Sequence, residues 1–246
     1  MREVIGELLP LALGVAVSPI PIIAAILMLL SPRARVTSVG FLLGWVIGIA
    51  LATTVFTLLV GAATADPDAA APLRGTVQLS LGILLLLMAI RNWRSRPKPG
   101  EDLALPTWMQ AIDTIGFPGA FGLGFALSAL NPKNLVMAAG AGTAIGAAGA
   151  GAASAGAVSA GAASAGGAAG AAGLAGGEVA ALIVVFTVLA ASTVLIPVVG
   201  YLFAADRLRG ALDATRGWLQ GENAVIMAVL LLVIGVSMIG KGIGSF

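Results

Sequence analysis

Two short stretches hold the residue types best suited to chemistry, Ser18-Pro19-Ile20-Pro21 and Asn131-Pro132-Lys133-Asn134. In each, a favoured N-cap residue precedes a proline, and proline suits the first helical position because its missing N–H would be unpaired there anyway. Each stretch therefore reads as the start of a helix. A helix start presents backbone N–H groups and the positive end of the helix dipole, an arrangement that receives carboxylate, phosphate or sulfate groups. Lys133 adds an ammonium. The candidate substrate-binding set is thus Ser18, Pro19, Pro21, Asn131, Pro132, Lys133 and Asn134. The competing readings are plain proline kinks and a lysine that clamps the carbonyls of a broken helix.

Other chemistry is excluded by composition. The 246 residues include no cysteine and no histidine, which removes disulfides, thiolate metal sites, zinc hydrolysis and Ser-His or Cys-His catalysis. No catalytic dyad or metal set can be assembled, so an enzyme is not expected and no cofactor is called for. Gly122-Leu123-Gly124 lies in an apolar run without the preceding strand that a nucleotide loop needs. A net charge of +2 offers no nucleic-acid surface.

The elements that position these residues must lie in a membrane. Hydrophobic residues make up 59% of the chain and charged ones 10%, and the mean hydropathy is +1.05; soluble domains carry about a quarter charged residues. Apolar runs near Val4–Leu30, Val36–Gly61, Gly75–Ile90, Ile115–Gly146, Val179–Phe203 and Ala224–Ile239 match the length that crosses a bilayer. The expected fold is an all-α integral membrane protein of six transmembrane helices, arranged as two inverted three-helix repeats over residues 1–112 and 113–246. Both candidate helix starts lie about 14 residues into their spans, roughly 20 Å deep at about 1.5 Å per residue, so the first and fourth helices should be broken near the midplane. Irregular backbone at that depth is tolerated inside protein or beside a cavity, and paired broken helices in inverted repeats are the layout of secondary transporters.

Charge sets the orientation. Arg2, Arg74 and Lys241 fall on one side of the membrane; Arg33, Arg35, Arg91, Arg94, Arg96, Lys98, Arg207, Arg209 and Arg216 fall on the other. The richer side is cytoplasmic by the positive-inside rule, which puts both termini outside a bacterial plasma membrane. Lys133 belongs to neither loop set. A charge near the bilayer centre costs at least about 2.5 kcal/mol and faces a cavity or a partner, and Glu7, Asp113, Glu178 and Glu222 all lie near span ends instead.

Several segments are less specific. From Ala138 to Gly177 every residue is Ala, Gly or Ser except Thr143, Ile145, Val158 and Leu174; its first part should finish the fourth helix, and residues 147–177 are expected to form an outside loop. Leu208, Leu212, Thr215 and Leu219 recur at helical spacing, which describes an amphipathic helix at the interface with Trp218 as anchor. Gly40, Gly44 and Gly48 should let the second helix pack closely. Thr53, Thr54, Thr57, Ser192 and Thr193 either line a cavity or bond back to their own helices.

In order and spacing, Ser18-Pro19-Ile20-Pro21, Ser31-Pro32-Arg33-Ala34-Arg35, Phe41-Leu42-Leu43-Gly44-Trp45, Gly122-Leu123-Gly124-Phe125 and Leu130-Asn131-Pro132-Lys133-Asn134-Leu135 resemble the GAP family of glycolipid or sulfolipid addressing proteins, within the lysine-exporter-like superfamily. The resemblance implies two inverted three-helix repeats and a role in exporting or delivering cell-envelope glycolipids, with Asn131-Pro132-Lys133 matching the second-repeat motif. The long Ala/Gly/Ser tract departs from that pattern. Membrane lipids and a glycolipid or other anionic substrate are the implied partners, and self-association or membership of a lipid-export machine stays open. The alternatives are export of a small amino acid, an anion or a metal ion, and a scaffold subunit that moves nothing itself.

Overall fold

The computed structural model describes residues 2–63, 67–95, 112–162 and 176–245, and among these every regular element is helical. The helices are α1 (Arg2–Ala16), α2 (Pro19–Leu30), α3 (Ala34–Ala63), α4 (Pro67–Arg94), α5 (Phe117–Ala129), α6 (Pro132–Ala162) and α7 (Gly176–Ile243), with a single 3-10 turn at Ile112–Thr114 before α5. Among the described residues, four stretches are long and apolar enough to cross a membrane: Ala34–Ala63, Pro72–Arg94, and the α7 segments Gly176–Ala204 and Ala224–Ile243. The pair α1 and α2 makes a fifth if counted as one span, bent by 55° at its break. Leu51, Leu58, Leu87, Val184, Ile196 and Val233 point out of the bundle, a surface suited to hydrocarbon and too apolar for water. The chain is a multi-pass helical membrane protein.

Both expected breaks are present. The residues 17–18 separate α1 from α2, and 130–131 separate α5 from α6. Pro19 and Pro132 each open the second helix of their pair, as a ring with fixed φ and no N–H favours.

Close approach of α3 to α5 uses glycine on both sides. A Cβ on Gly44 would strike the Phe121 carbonyl, and one on Gly124 would strike the Phe41 carbonyl, so each helix presents a bare backbone to the other. Beside this contact Phe41 and Trp45 are fully buried and stacked at 6.2 Å.

The Ala/Gly/Ser tract differs from the loop expected over residues 147–177. Helix α6 runs on to Ala162, because alanine's high helix propensity outweighs the interspersed glycines; the remaining residues of that loop up to 175 lie outside the described set. The first part of the tract is core: Ala141, Thr143 and Ile145 are buried, and Gly142 and Gly146 meet α3 near Phe56 and Thr57. Small side chains here permit helix contact.

Between the two spans of α7 the chain kinks at Ala204 (φ −144°, ψ 48°). In the connecting stretch Leu212 and Leu219 turn inward and Trp218 is exposed, as the spacing describes, while Thr215, expected on the same face as the leucines, is exposed instead.

Candidate functional site

The break between α1 and α2 leaves the last carbonyls of α1 without partners of the usual kind. Val17 N–H donates to the Leu13 carbonyl at 2.9 Å and Ser18 N–H to the Ala16 carbonyl at 2.9 Å. Thr193, from α7, donates its hydroxyl to the Ala16 carbonyl as well. The Gly14 carbonyl receives the Lys133 Nζ, 2.6 Å away and from the first turn of α6. That ammonium also donates to Ser18 Oγ. Its third proton has only the Met227 sulfur at 3.8 Å, a weak acceptor.

Lys133, Ser18 and Asn134 are 5%, 3% and 2% exposed, so the ammonium is a buried charge. No carboxylate among the described residues pairs with it; the ion pairs of Glu7 are with Arg74 and Lys241. What offsets the charge is the carbonyl end of α1, the negative pole of that helix. The ammonium is therefore already bonded, which differs from the unpaired cation suggested by the lack of a buried acid.

The two helix starts are satisfied in different ways. Asn131 Oδ1 accepts the Lys133 backbone N–H at 3.0 Å, the side-chain N-cap that the residue type suggests. Ser18 has the backbone of an N-cap but makes no capping bond to α2, because its oxygen faces Lys133. Prolines at 19 and 21 remove two of the N–H groups that the first turn of α2 would otherwise expose, so the anion-binding backbone expected there is largely absent. Ile20 keeps its N–H.

Ser18, Pro19, Pro21, Asn131 and Lys133 come together around one cavity of about 180 Å³, with Met88 and Asn92 of α4 and Met227 and Leu231 of α7 completing the wall. Pro132 and Asn134 do not line it. Asn134 instead donates its Nδ2 to the Leu127 carbonyl at 2.9 Å, tying the end of α5 to the start of α6. The four wall residues from α4 and α7 were not singled out from sequence; Asn92 sits between Arg91 and Trp93 just past an apolar run and reads there as an ordinary polar end of a span. Of the threonines and serines, Thr53, Thr54, Thr57 and Ser192 bond to carbonyls of their own helices.

On the wall, donors outnumber acceptors. Lys133 has one proton without a strong acceptor, the Ser18 hydroxyl can donate while it accepts, and Asn131 keeps its amide protons because its oxygen is the cap. Asn92 Nδ2 is taken by the Met88 carbonyl at 2.9 Å. Such a cavity suits an anionic or hydroxyl-rich group. No cluster of His, Cys, Asp or Glu among the described residues could hold a metal ion.

The same faces of α1, α4 and α7 continue toward the other end of the bundle, where Glu7, Gln78 and Lys241 line a small space of about 20 Å³. There Arg74 reaches Glu7 at 3.1 Å and Lys241 reaches it at 4.0 Å. Between the two ends the path is filled: Leu85 and Met137 are fully buried, and Gly14 lies directly against Ile234 and Met137.

A bundle of apolar helices, two of them started by proline inside the fold around a buried lysine and a half-open cavity of mixed polar and apolar walls, defines a multi-pass membrane protein with an internal site at its helix breaks. The family model described as Sap, sulfolipid-1-addressing protein, matches residues 8–161 and 152–244, and the chain belongs to that family. The two matched stretches meet inside the Ala/Gly/Ser tract. No curated protein and no solved structure matches the chain.

Proposed function

We propose that this protein exports or delivers a cell-envelope glycolipid, accepting an anionic headgroup in the Lys133 cavity and passing it along the faces of α1, α4 and α7. The single observation that carries the reading is the buried Lys133 ammonium, which has no carboxylate partner among the described residues and faces a cavity between two helix breaks. A charge kept at such depth marks a site. Membership of the sulfolipid-addressing family supports an anionic glycolipid as cargo.

In this reading α1 with α2, and α5 with α6, are each one broken span, giving six crossings in two inverted repeats related to the lysine-exporter-like group. Both termini lie outside, and the Arg91 and Arg94 end is cytoplasmic. The Glu7, Arg74 and Lys241 cluster then closes the outer end while the cavity serves the inner one, and rocking of the repeats exchanges the two states. No covalent step is involved.

A second reading has one observation in its favour. The bond from Lys133 to the Gly14 carbonyl is what a structural clamp would make, and a clamp needs no substrate. The test is flux: purified protein, reconstituted alone into liposomes, should move a sulfated glycolipid bearing a short fluorescent acyl chain between leaflets faster than protein-free liposomes do. No difference between the two preparations would leave a scaffold role in place of transport.

A further inference from the structure

The Lys133 cavity is smaller than the ~300–1,000 Å³ of sites for drug-sized ligands, so a lipid can place only its headgroup there. A second, larger hollow of about 320 Å³ lies between the same two helices and is lined by Ala89, Ile90, Trp93 and Arg94 of α4 with Ala228, Val229 and Leu232 of α7. The Lys133 cavity uses Met88 and Asn92, Met227 and Leu231, the neighbouring positions on these helices. The two hollows therefore lie back to back across one helix seam. Ile90, Trp93, Val229 and Leu232 are exposed, whereas Ala89 and Ala228 are buried, so the outer hollow opens to the bilayer and a pair of single methyl groups lines its floor.

The seam is not uniform. Toward the Glu7 end, Gly82 and Gly242 bring α4 and α7 into backbone contact, with the Gly235 carbonyl 2.9 Å from a Cβ on Gly82. Between the two hollows the seam is closed by the methyl groups of Ala89 and Ala228, both buried. Arg94 lines the outer hollow, and a further hollow beside it is lined by Arg91, Arg94 and Ser95.

We infer that the outer hollow holds an acyl chain of an anionic lipid, with Arg94 and Arg91 at the headgroup level, and that the headgroup reaches Lys133 across the seam at Ala89 and Ala228. This rests on the lipid-transport reading and adds the route by which the lipid enters. Charge complementarity selects the occupant: the groove is apolar along its length and cationic at its end, as an anionic amphiphile requires.

Full-length protein in nanodiscs containing phosphatidylglycerol with a diazirine late in one acyl chain should be photolabelled in the peptides covering residues 89–94 and 228–232 more than on the exposed face of α3 at Leu51, Val55 and Leu58. The label should be about fivefold stronger than with the matching phosphatidylcholine probe, the effect of one arginine near an anionic lipid, and Arg94→Gln should remove that preference. Val229→Trp fills the groove from the lipid side, where a larger side chain disturbs no core, and should lower groove labelling while leaving α3 labelling unchanged. Equal labelling of both faces, or equal labelling by both lipids, would overturn the inference. Groove labelling as expected with no flux by the protein would instead sink the transport reading and leave the lipid site standing.

Discussion

The two helix breaks look alike in sequence and are held in different ways. At the second, the bonds made are all close in the chain: Asn131 caps Lys133 N–H, Asn134 serves the Leu127 carbonyl, and Leu130 N–H serves the Ala126 carbonyl. At the first, the carbonyls of Gly14 and Ala16 depend on Lys133 and Thr193, 119 and 177 residues away in sequence. The second break is held within its own segment; the first, besides its local backbone bonds, takes side-chain donors from α6 and α7. A buried charge that couples one half of the chain to the other is the kind of group a moving transporter can use, since its partners change if the halves move.

A large stability effect should come from crowding the first break. A Cβ on Gly14 would lie 2.7 Å from the Ile234 side chain and 3.0 Å from the Met137 sulfur, so Gly14→Leu should cost about 1–3 kcal/mol through overpacking and lower the midpoint of thermal unfolding in detergent. Gly122, on α5 before the second break, has nothing within 4 Å. There Gly122→Ala should be neutral or raise stability by up to about 1 kcal/mol, the gain in helix propensity. Equal losses at both positions would erase the contrast.

A double-mutant cycle sharpens it. Ser18→Ala removes an acceptor from a charged donor and should cost about 1.5–3 kcal/mol, whereas Asn131→Ala removes a helix cap worth about 1 kcal/mol. In a Lys133→Met background the Ser18→Ala cost should largely vanish. The Asn131→Ala cost should persist, because Asn131 holds the Lys133 backbone and not its side chain. Additivity for both pairs, measured by denaturant unfolding, would show that Lys133 does not couple the breaks.

The smallest effect should follow from deleting part of residues 163–175. Loop length enters closure entropy logarithmically, so halving this connection should change stability by only about 0.6 kcal/mol. A large loss would give the tract a packing role that no described contact requires.

The breaks themselves were legible because proline after Ser or Asn carries a local meaning that tertiary structure did not override. Lys133 was legible as a buried charge, since nothing else in its apolar run carries one. Its principal partner was not, because a backbone carbonyl at Gly14 leaves no mark on residue type. The cavity walls at Met88, Asn92, Met227 and Leu231 come from helices whose register against α1 is set by packing, which a single chain does not display. Residues 147–162 were misread for a different reason: alanine and glycine oppose one another in helix propensity, and only the close fit of Gly142 and Gly146 against α3 shows which way the earlier part of the tract is held.

The central claim is that Lys133 serves cargo as well as the fold, and the most direct test is glycolipid flux per folded molecule for Lys133→Met. Removing the side chain leaves the Gly14 carbonyl and the Ser18 oxygen without their charged donor, a loss of stability, and also removes the cost of keeping an ammonium buried without a carboxylate beside it. These terms oppose one another, so flux is read per folded molecule, and the folded variant should move no lipid above the protein-free background. Normal flux by well-folded Lys133→Met protein would contradict the account and leave the lysine as a clamp on the end of α1.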